Sequence, residues 1–546
     1  MQSRTITFGE GRVSPIAKLH EDILWKIFLE NTETYNDKRL TTARRSSQVC
    51  QQWRVIMLKS SSIWGRCIDL NDLRQTTYDW FREVMTRAGK ALLWIMGPIS
   101  TYSHPPPNFL SIFINENWDR IQRLNVSDNM HDRDRTQYWT TLFKKPAPIL
   151  EEFVFHDSRK GWILPSPLFK ATCPALKKFE VFRTVWHDLD EFKFTMDMPA
   201  SWLSKLCSLT LRHVLNASEL LQLLTTTPLL ESLEIHGLTT STELQGSSIF
   251  SMVNLPKLTS VRLNFWSLLE IVAFLERITP ALGCRLSMSK PHDSEVIVDP
   301  HNMKRVQILL NRYIQDYFER HPPTRVALSC DGYLELEETS ISDSGHSTPS
   351  GLSIWMPLEE DDLTPIQMLF NAPFLSTVVE LDIRRWRKIL PFSLSAFDSV
   401  TTLWIGHKSL SSLSEHVQQE HNLIFPLLDV LKISHWEQRL GSKYREPLGS
   451  FLQHRWAINR PISVLDLSPV HENLTCDLDN LENLTGLRVK WKLSWLGQNK
   501  EEYVCGNGHP KTLCFKQNYP KNGQFMIHRH PGFSVMYGWS GQIADI

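Results

Sequence analysis

The chain reads as an α/β protein in which a small amino-terminal helical module is followed by an irregular solenoid, a curved parallel sheet with outer helices. Three observations predict this. A six-residue apolar pattern recurs eleven times between residues 121 and 489. Between its copies the apolar period changes from that of a strand to that of a helix. Ahead of residue 71 lies a different kind of sequence, read as short amphipathic helices. The organisation expected is a tail over residues 1–14, a helical module over 15–70, the solenoid over 71–495 with an excursion at about 335–351, and a capping tail over 496–546.

The recurring hexad has a large aliphatic residue at position one and large apolar residues at positions four and six. It stands at Ile121, Leu150, Leu176, Leu206, Leu230 and Leu258, then at Val378, Val400, Leu428, Ile462 and Leu484. Apart from one long gap after Leu258, consecutive starts lie 22 to 34 residues apart, the spread of irregular leucine-rich repeats. In an extended chain positions four and six point to one side and three and five to the other, so the apolar set is expected inward. Each inward Leu or Phe contributes about 1.5 to 3 kcal/mol when fully buried. A single unit cannot cover its own apolar face, whereas a stack of units makes one core with parallel strands side by side. Pro148, Pro174, Pro228, Pro256 and Pro426 each precede a hexad by two residues and are expected to end the preceding helix.

Val306, Leu309, Leu310, Tyr313, Ile314, Tyr317 and Phe318 recur at helical spacing, as do Leu268, Leu269, Ile271, Val272 and Leu275 behind Ser267. The acidic, serine-rich run from Glu335 to Gly351 reads as a loop outside the stack, with Ser344, Ser347 and Thr348 as phosphate acceptors.

In the module, Leu19, Ile23, Leu24, Ile27 and Phe28 form one helical stripe, with Glu21 and Asp22 in the first turn suiting the helix dipole. Leu40 to Trp53 places Ala43, Ser46, Val49, Cys50 and Trp53 on one face, followed by Ile56, Met57, Ile63 and Trp64.

The runs LHEDILWKIF, VCQQWR and SSIWGRCIDL resemble, in that order, the three parts of the F-box, over roughly Ile16 to Leu70. With RWAINRPISVLDL near the other end, the chain resembles the fungal F-box proteins with degenerate leucine-rich repeats. The resemblance implies a substrate-recognition subunit of an SCF-type cullin-RING ubiquitin ligase: the F-box docks on a Skp-type adaptor, and through it on a cullin, while the repeats hold a protein substrate. Carried over to matching positions, it implies adaptor contacts from Leu19, Ile23, Leu24, Ile27, Phe28, Val49, Cys50, Trp53, Ile63 and Trp64. Two departures stand out. His20 occupies the place of the family's proline, and the linker from Asn31 to Arg39 is longer and more polar than in compact versions. The alternative is a leucine-rich scaffold without a ligase role.

Substrate contacts are expected on the outward strand positions, which include Glu152, Lys178, Glu180, Thr210, Glu234, Lys432 and Arg488. Aromatic and arginine side chains dominate interface hot spots, so Phe182, Arg212, Arg262, Glu380, Asp382, Arg384 and Trp404 are the residues singled out. Lys plus Arg and Asp plus Glu balance at 59 each, so no overall field favours nucleic acid or an anionic membrane. The nine cysteines are scattered and odd in number, which suits reduced thiols, and no apolar run has the length of a signal or a membrane span. The chain is thus expected in the cytoplasm or nucleus, with the sequons at Asn125, Asn216, Asn473 and Asn483 as chance matches. No phosphate loop, dinucleotide fingerprint, zinc-protease motif or nucleophile elbow is found, so no enzyme and no cofactor are expected. Cys505, His509, Cys514, His528 and His530 are zinc-type ligands without a paired-cysteine spacing, and a capping tail without metal is the expectation there.

Overall fold

Strands form where the hexads stand, because proline-bearing turns deliver the chain into them. Leu176, Leu230, Leu258 and Leu428 each donate a backbone hydrogen bond three residues back, to Cys173, Thr227, Leu255 and Phe425. Pro174, Pro228, Pro256 and Pro426 thereby sit at the second position of a tight turn, where their fixed φ is an advantage. Their role is to open the strand and not, as expected from the sequence, to close a helix.

The computed structural model describes residues 16, 19–33, 38–74, 78–99, 107–128, 133–157, 164–165, 167–183, 201–212, 217–237, 252–264, 268–289, 300–330, 333–341, 347–357, 367, 369–386, 394–419, 424–434, 445–469, 477–492 and 500–515. These residues contain 13 α-helices and 20 strands in a mixed α/β arrangement whose strands pair mostly in parallel. The chain divides into two units, Met1–Trp404 with Gln419–Leu428, and Ile405–Gln418 with Asp429–Ile546.

The first unit opens with α1 (Glu21–Glu30), α2 (Arg39–Ser46), α3 (Gln51–Lys59), α4 (Ser61–Arg66), β1 (Ile68–Asp69), α5 (Leu70–Arg74) and α6 (Tyr78–Ala88). There follow β2 (Leu93–Ile99), α7 (Pro107–Glu116), β3 (Ile121–Asp128), α8 (Arg133–Phe143), β4 (Glu152–Asp157), β5 (Lys178–Arg183), β6 (Ser208–Arg212), α9 (Ala217–Leu224) and β7 (Ser232–His236). Next come β8 (Val253–Leu255), β9 (Ser260–Asn264), α10 (Leu268–Leu275), β10 (Ile278–Pro280), β11 (Arg285–Met288) and α11 (Pro300–Arg320). The last are β12 (Arg325–Cys330), β13 (Tyr333–Ile341), β14 (Ser347–Pro357), β15 (Glu380–Trp386) and, at the boundary, β16 (Thr402–Ile405).

From β1 to β7, and on through β9 to β11, each strand pairs in parallel with the next. The hexads are in register. Leu124, Phe153, Phe179, Leu209, Leu233 and Val261, all at position four, are successive partners and fully buried. Val126, Phe155, Val181, Leu211, Ile235 and Leu263 repeat this at position six. Behind the sheet, Phe143, Phe169 and Trp202 join Phe153 and Phe179, which stack at 5.4 Å. The expected α10 and α11 are present, and Val306, Leu310, Tyr313, Ile314, Tyr317 and Phe318 are buried on α11. β8 and β10 form a separate parallel pair.

The run expected to leave the stack instead supplies strands. β14 lies parallel to β11, β13 runs antiparallel between β14 and β12, and β12 lies parallel to β15. The reason is alternation: Leu334 and Leu336, and opposite them Met356 and Ile354, are buried, with the acidic residues between them on the other side. Ser347 and Thr348 are in β14, while Ser344 lies outside the described residues.

The second unit carries α12 (His407–Gln419), β17 (Val430–Ile433), α13 (Arg445–Ala457), β18 (Val464–Asp466), β19 (Arg488–Lys492) and β20 (Lys500–Val504). β17, β18 and β19 are parallel and β20 is antiparallel to β19. The hexad at Leu484 joins two residues late: Leu465 faces Val489, so Leu487, Val489 and Trp491 form the buried set.

Candidate protein-interaction site

Two surfaces carry the residues singled out from the sequence. The first is the outer side of the helical module. His20 caps α1 with φ −63°, and its Nδ1 accepts from the Asp22 amide at 3.3 Å. Leu24 and Phe28 turn inward, Phe28 meeting Trp53 edge to face at 4.9 Å. Ile23 and Ile27, from the same apolar stripe, stand 48% and 43% exposed, and Leu19 is half-buried. The stretch from Leu40 to Trp53 is two helices and not one. It breaks after Ser46, and Cys50 starts α3 with its Sγ accepting from the Trp53 amide at 3.5 Å. Val49 and Cys50 in this break are exposed. Ile63 and Trp64 are fully buried, and the Trp64 indole donates to the Met57 carbonyl at 2.7 Å. The ten positions therefore divide: Leu24, Phe28, Ile63 and Trp64 hold the module together, while Ile23, Ile27, Val49 and Cys50 are open to a partner, with Leu19 and Trp53 at the margin.

The inner side of the module is fixed to the start of the sheet. A Cβ at Gly65 would lie 2.4 Å from the Leu92 carbonyl oxygen, so glycine alone lets α4 approach the strand this closely. The guanidiniums of Arg66 and Arg123 lie 4.3 and 3.8 Å from the centre of the buried Trp94 ring. Glu33 accepts from both, at 2.5 and 3.2 Å.

The second surface is the polar side of the strands. Glu152 is held by Arg123 at 3.6 Å and Lys178 at 3.0 Å, Glu180 by Lys178 at 3.3 Å and His156 at 3.5 Å, and Glu234 by His236 at 2.7 Å and Arg262 at 3.2 Å. Burial pushes the carboxyls of Glu180 and Glu234 up, but these hydrogen bonds and cations outweigh it and leave both below the ordinary value. Phe182 is half-buried on this side, 4.4 Å from the His156 ring and 5.8 Å from that of His236, with the Arg212 guanidinium 4.3 Å above it. Further along, Trp404 donates its indole N–H to Glu380, which also accepts from Arg325 at 2.5 Å. Asp382 binds Arg384 through both oxygens, and the guanidiniums of Arg384 and Arg325 stand 5.0 and 5.5 Å from the Trp404 ring. Phe182 and Trp404 are thus neither in the core nor fully exposed. Thr210 lies buried on β6, and Lys432 and Arg488 belong to the second unit.

The sequence reading missed His156, His236, Asn264 and the Trp94 cluster. One signal could have found the first three: they occupy position seven of their repeats, the row that also holds Phe182, Arg212 and Arg384. On the same side, Glu335 of β13 is buried beside Glu337, and burial followed by repulsion from Glu337 pushes its carboxyl up to about 7.

In the tail, Cys505 is buried, and that burial pushes its thiol up to about 11. His528 and His530 lie outside the described residues, and among the described residues no three His, Cys, Asp or Glu side chains are placed to hold a metal. No described helix is long and apolar enough to cross a membrane. Comparison with protein-family models returns no match, and none of the curated proteins compared matches the chain.

Proposed function

We propose that the chain is the substrate-recognition subunit of an SCF-type ubiquitin ligase, its helical module an F-box that docks on a Skp-type adaptor and its strands an irregular leucine-rich solenoid that holds the substrate. One observation carries the reading. Residues in F-box order form a helical module whose interior is packed while Ile23, Ile27, Val49 and Cys50 stay exposed. Exposed aliphatic side chains clustered on one small module favour a protein partner. Such a subunit breaks and makes no bonds. It raises the effective concentration of a substrate lysine near charged ubiquitin. The strand ladder supports the second half of the reading, since parallel units in register present long rows of polar side chains with the aromatic and arginine anchors that interfaces favour.

The test is co-purification of the full chain with a Skp-type adaptor. Ile23→Asp with Ile27→Asp abolishes it and leaves the melting temperature unchanged. Retention of the adaptor by this variant sinks the docking surface, and absence of adaptor from the unaltered chain leaves the scaffold reading.

A further inference from the structure

The hydrogen-bond inventory of the strand face says which chemistry it lacks, and the inference rests on the reading that this face holds the substrate. Each of Glu152, Glu180 and Glu234 already holds two cationic or imidazole groups. These carboxylates are already paired. Arg212 stands apart among the cations of this face: among the described residues it makes no ion pair or hydrogen bond, and its Nε, like the neighbouring His156 Nε2, is shut off from water without a hydrogen-bond partner. Its guanidinium carbon stands 4.3 Å from the centre of the Phe182 ring, which holds the group beside that side chain. Phe182 offers a half-buried apolar surface beside it. A surface whose carboxylates are already paired and whose Arg212 lacks an acceptor selects a ligand that brings one.

We propose that the Phe182 and Arg212 corner of the strand face binds an extended segment of a partner protein through an Asp or Glu side chain next to an apolar one, the carboxylate on Arg212 and the apolar group on Phe182. Charge decides between a carboxylate and a phosphate. Glu180 and Glu234 both lie within the field of Arg212, so a single negative charge is tolerated where a dianion meets two carboxylates. A basic segment finds no free carboxylate here.

The experiment uses the full chain, immobilised, and pools of degenerate nine-residue peptides whose central residue is fixed as Glu, Gln, phosphoserine or Lys. The Glu pool is retained about tenfold over the Gln and Lys pools, the scale of one hydrogen-bonded charge pair. Sequencing of the retained peptides finds an apolar residue adjacent to the Glu. Arg212→Gln removes the preference, and Arg212→Lys, which keeps the charge and loses the fork, restores only part of it. Phe182→Leu keeps the preference for Glu and weakens that for an aromatic neighbour, and it serves where Arg212→Gln fails to fold. Equal retention of the Glu and Gln pools, a phosphoserine pool exceeding the Glu pool, retention of none, or an unchanged preference in Arg212→Gln overturns the proposal. Adaptor co-purification of the same preparations separates the two readings. A Glu preference without adaptor leaves this surface and removes the ligase, and adaptor without the preference does the reverse.

Discussion

His20 holds the one position where the module departs most from the F-box pattern, and its backbone is already that of a proline. With φ −63°, His20 already holds the angle that proline fixes, so His20→Pro restricts the unfolded chain at no cost in φ, against the loss of one exposed cap to the Asp22 amide. The expected outcome is a stability within about 0.5 kcal/mol of the unaltered chain and adaptor binding at least as strong, read by thermal denaturation and co-purification. Glu335 gives a pH dependence of known sign. The folded chain holds its proton up to about 7, whereas the unfolded chain releases it near 4.5. Its contribution is neutral below 4.5 and turns against the fold as pH rises from there through about 7. Melting curves at pH 5 and pH 8 therefore differ less for Glu335→Gln than for the unaltered chain. A larger difference in the variant contradicts the assignment.

At the scale of elements, the strand pattern predicts graded costs. Leu209→Ala, in the centre of the position-four column, destabilises by about 2 to 5 kcal/mol, and Pro228→Ala, in a turn ahead of a strand, by less than about 1 kcal/mol. Gly351 tests the inserted strands. A Cβ there would lie 2.6 Å from the Tyr317 hydroxyl and overlap the carboxylate of Glu338 that this hydroxyl donates to. Gly351→Ala costs about 1 to 3 kcal/mol, and Glu338→Ala in the same chain recovers part of it, measured by denaturant unfolding. The same elements show how far the sequence could be read. Where position one is aliphatic, each hexad lies at a strand. β11 and β12 escape the pattern because Gly283 and Pro323 stand at position one, Gly283 with φ 75° and with a Cβ there lying 2.6 Å from the Arg320 side chain. β13 reads as loop in the sequence because its outward positions are acidic and its neighbours serine-rich, although Leu334 and Leu336 alternate with them. In the module, the stripe on α1 could be read but not its division, since a stripe of adjacent apolar residues does not say which half a second helix covers.

For the module and sheet together, Gly65, Trp94 and the Glu33 bridge between Arg66 and Arg123 make the helical module part of the fold. β1 also covers the edge of β2. A chain beginning at residue 71 should lose adaptor and melt several degrees lower, as cutting away buried Ile63 and Trp64 requires. Loss of substrate on such truncation therefore says nothing about docking, and exposed point changes such as Ile23→Asp are the cleaner instrument. Equal melting of the shortened and full chains contradicts this.

The reversed strand β13 also sets the order in which the chain can be laid down. As synthesis proceeds, β12 emerges before β13 and β14, yet its place is three strand widths from β11, roughly 14 Å away. A polypeptide leaving the ribosome can add β2 to β7, then β9 and β11, one at a time, each on the preceding strand of the same sheet. There the sequential growth stops, until a three-strand meander has formed by itself and swung its last strand, β14, onto the waiting edge. The nascent protein thus holds an open parallel edge at β11 for the time needed to translate residues 289–357, the interval in which a chaperone or a wrong edge would find it.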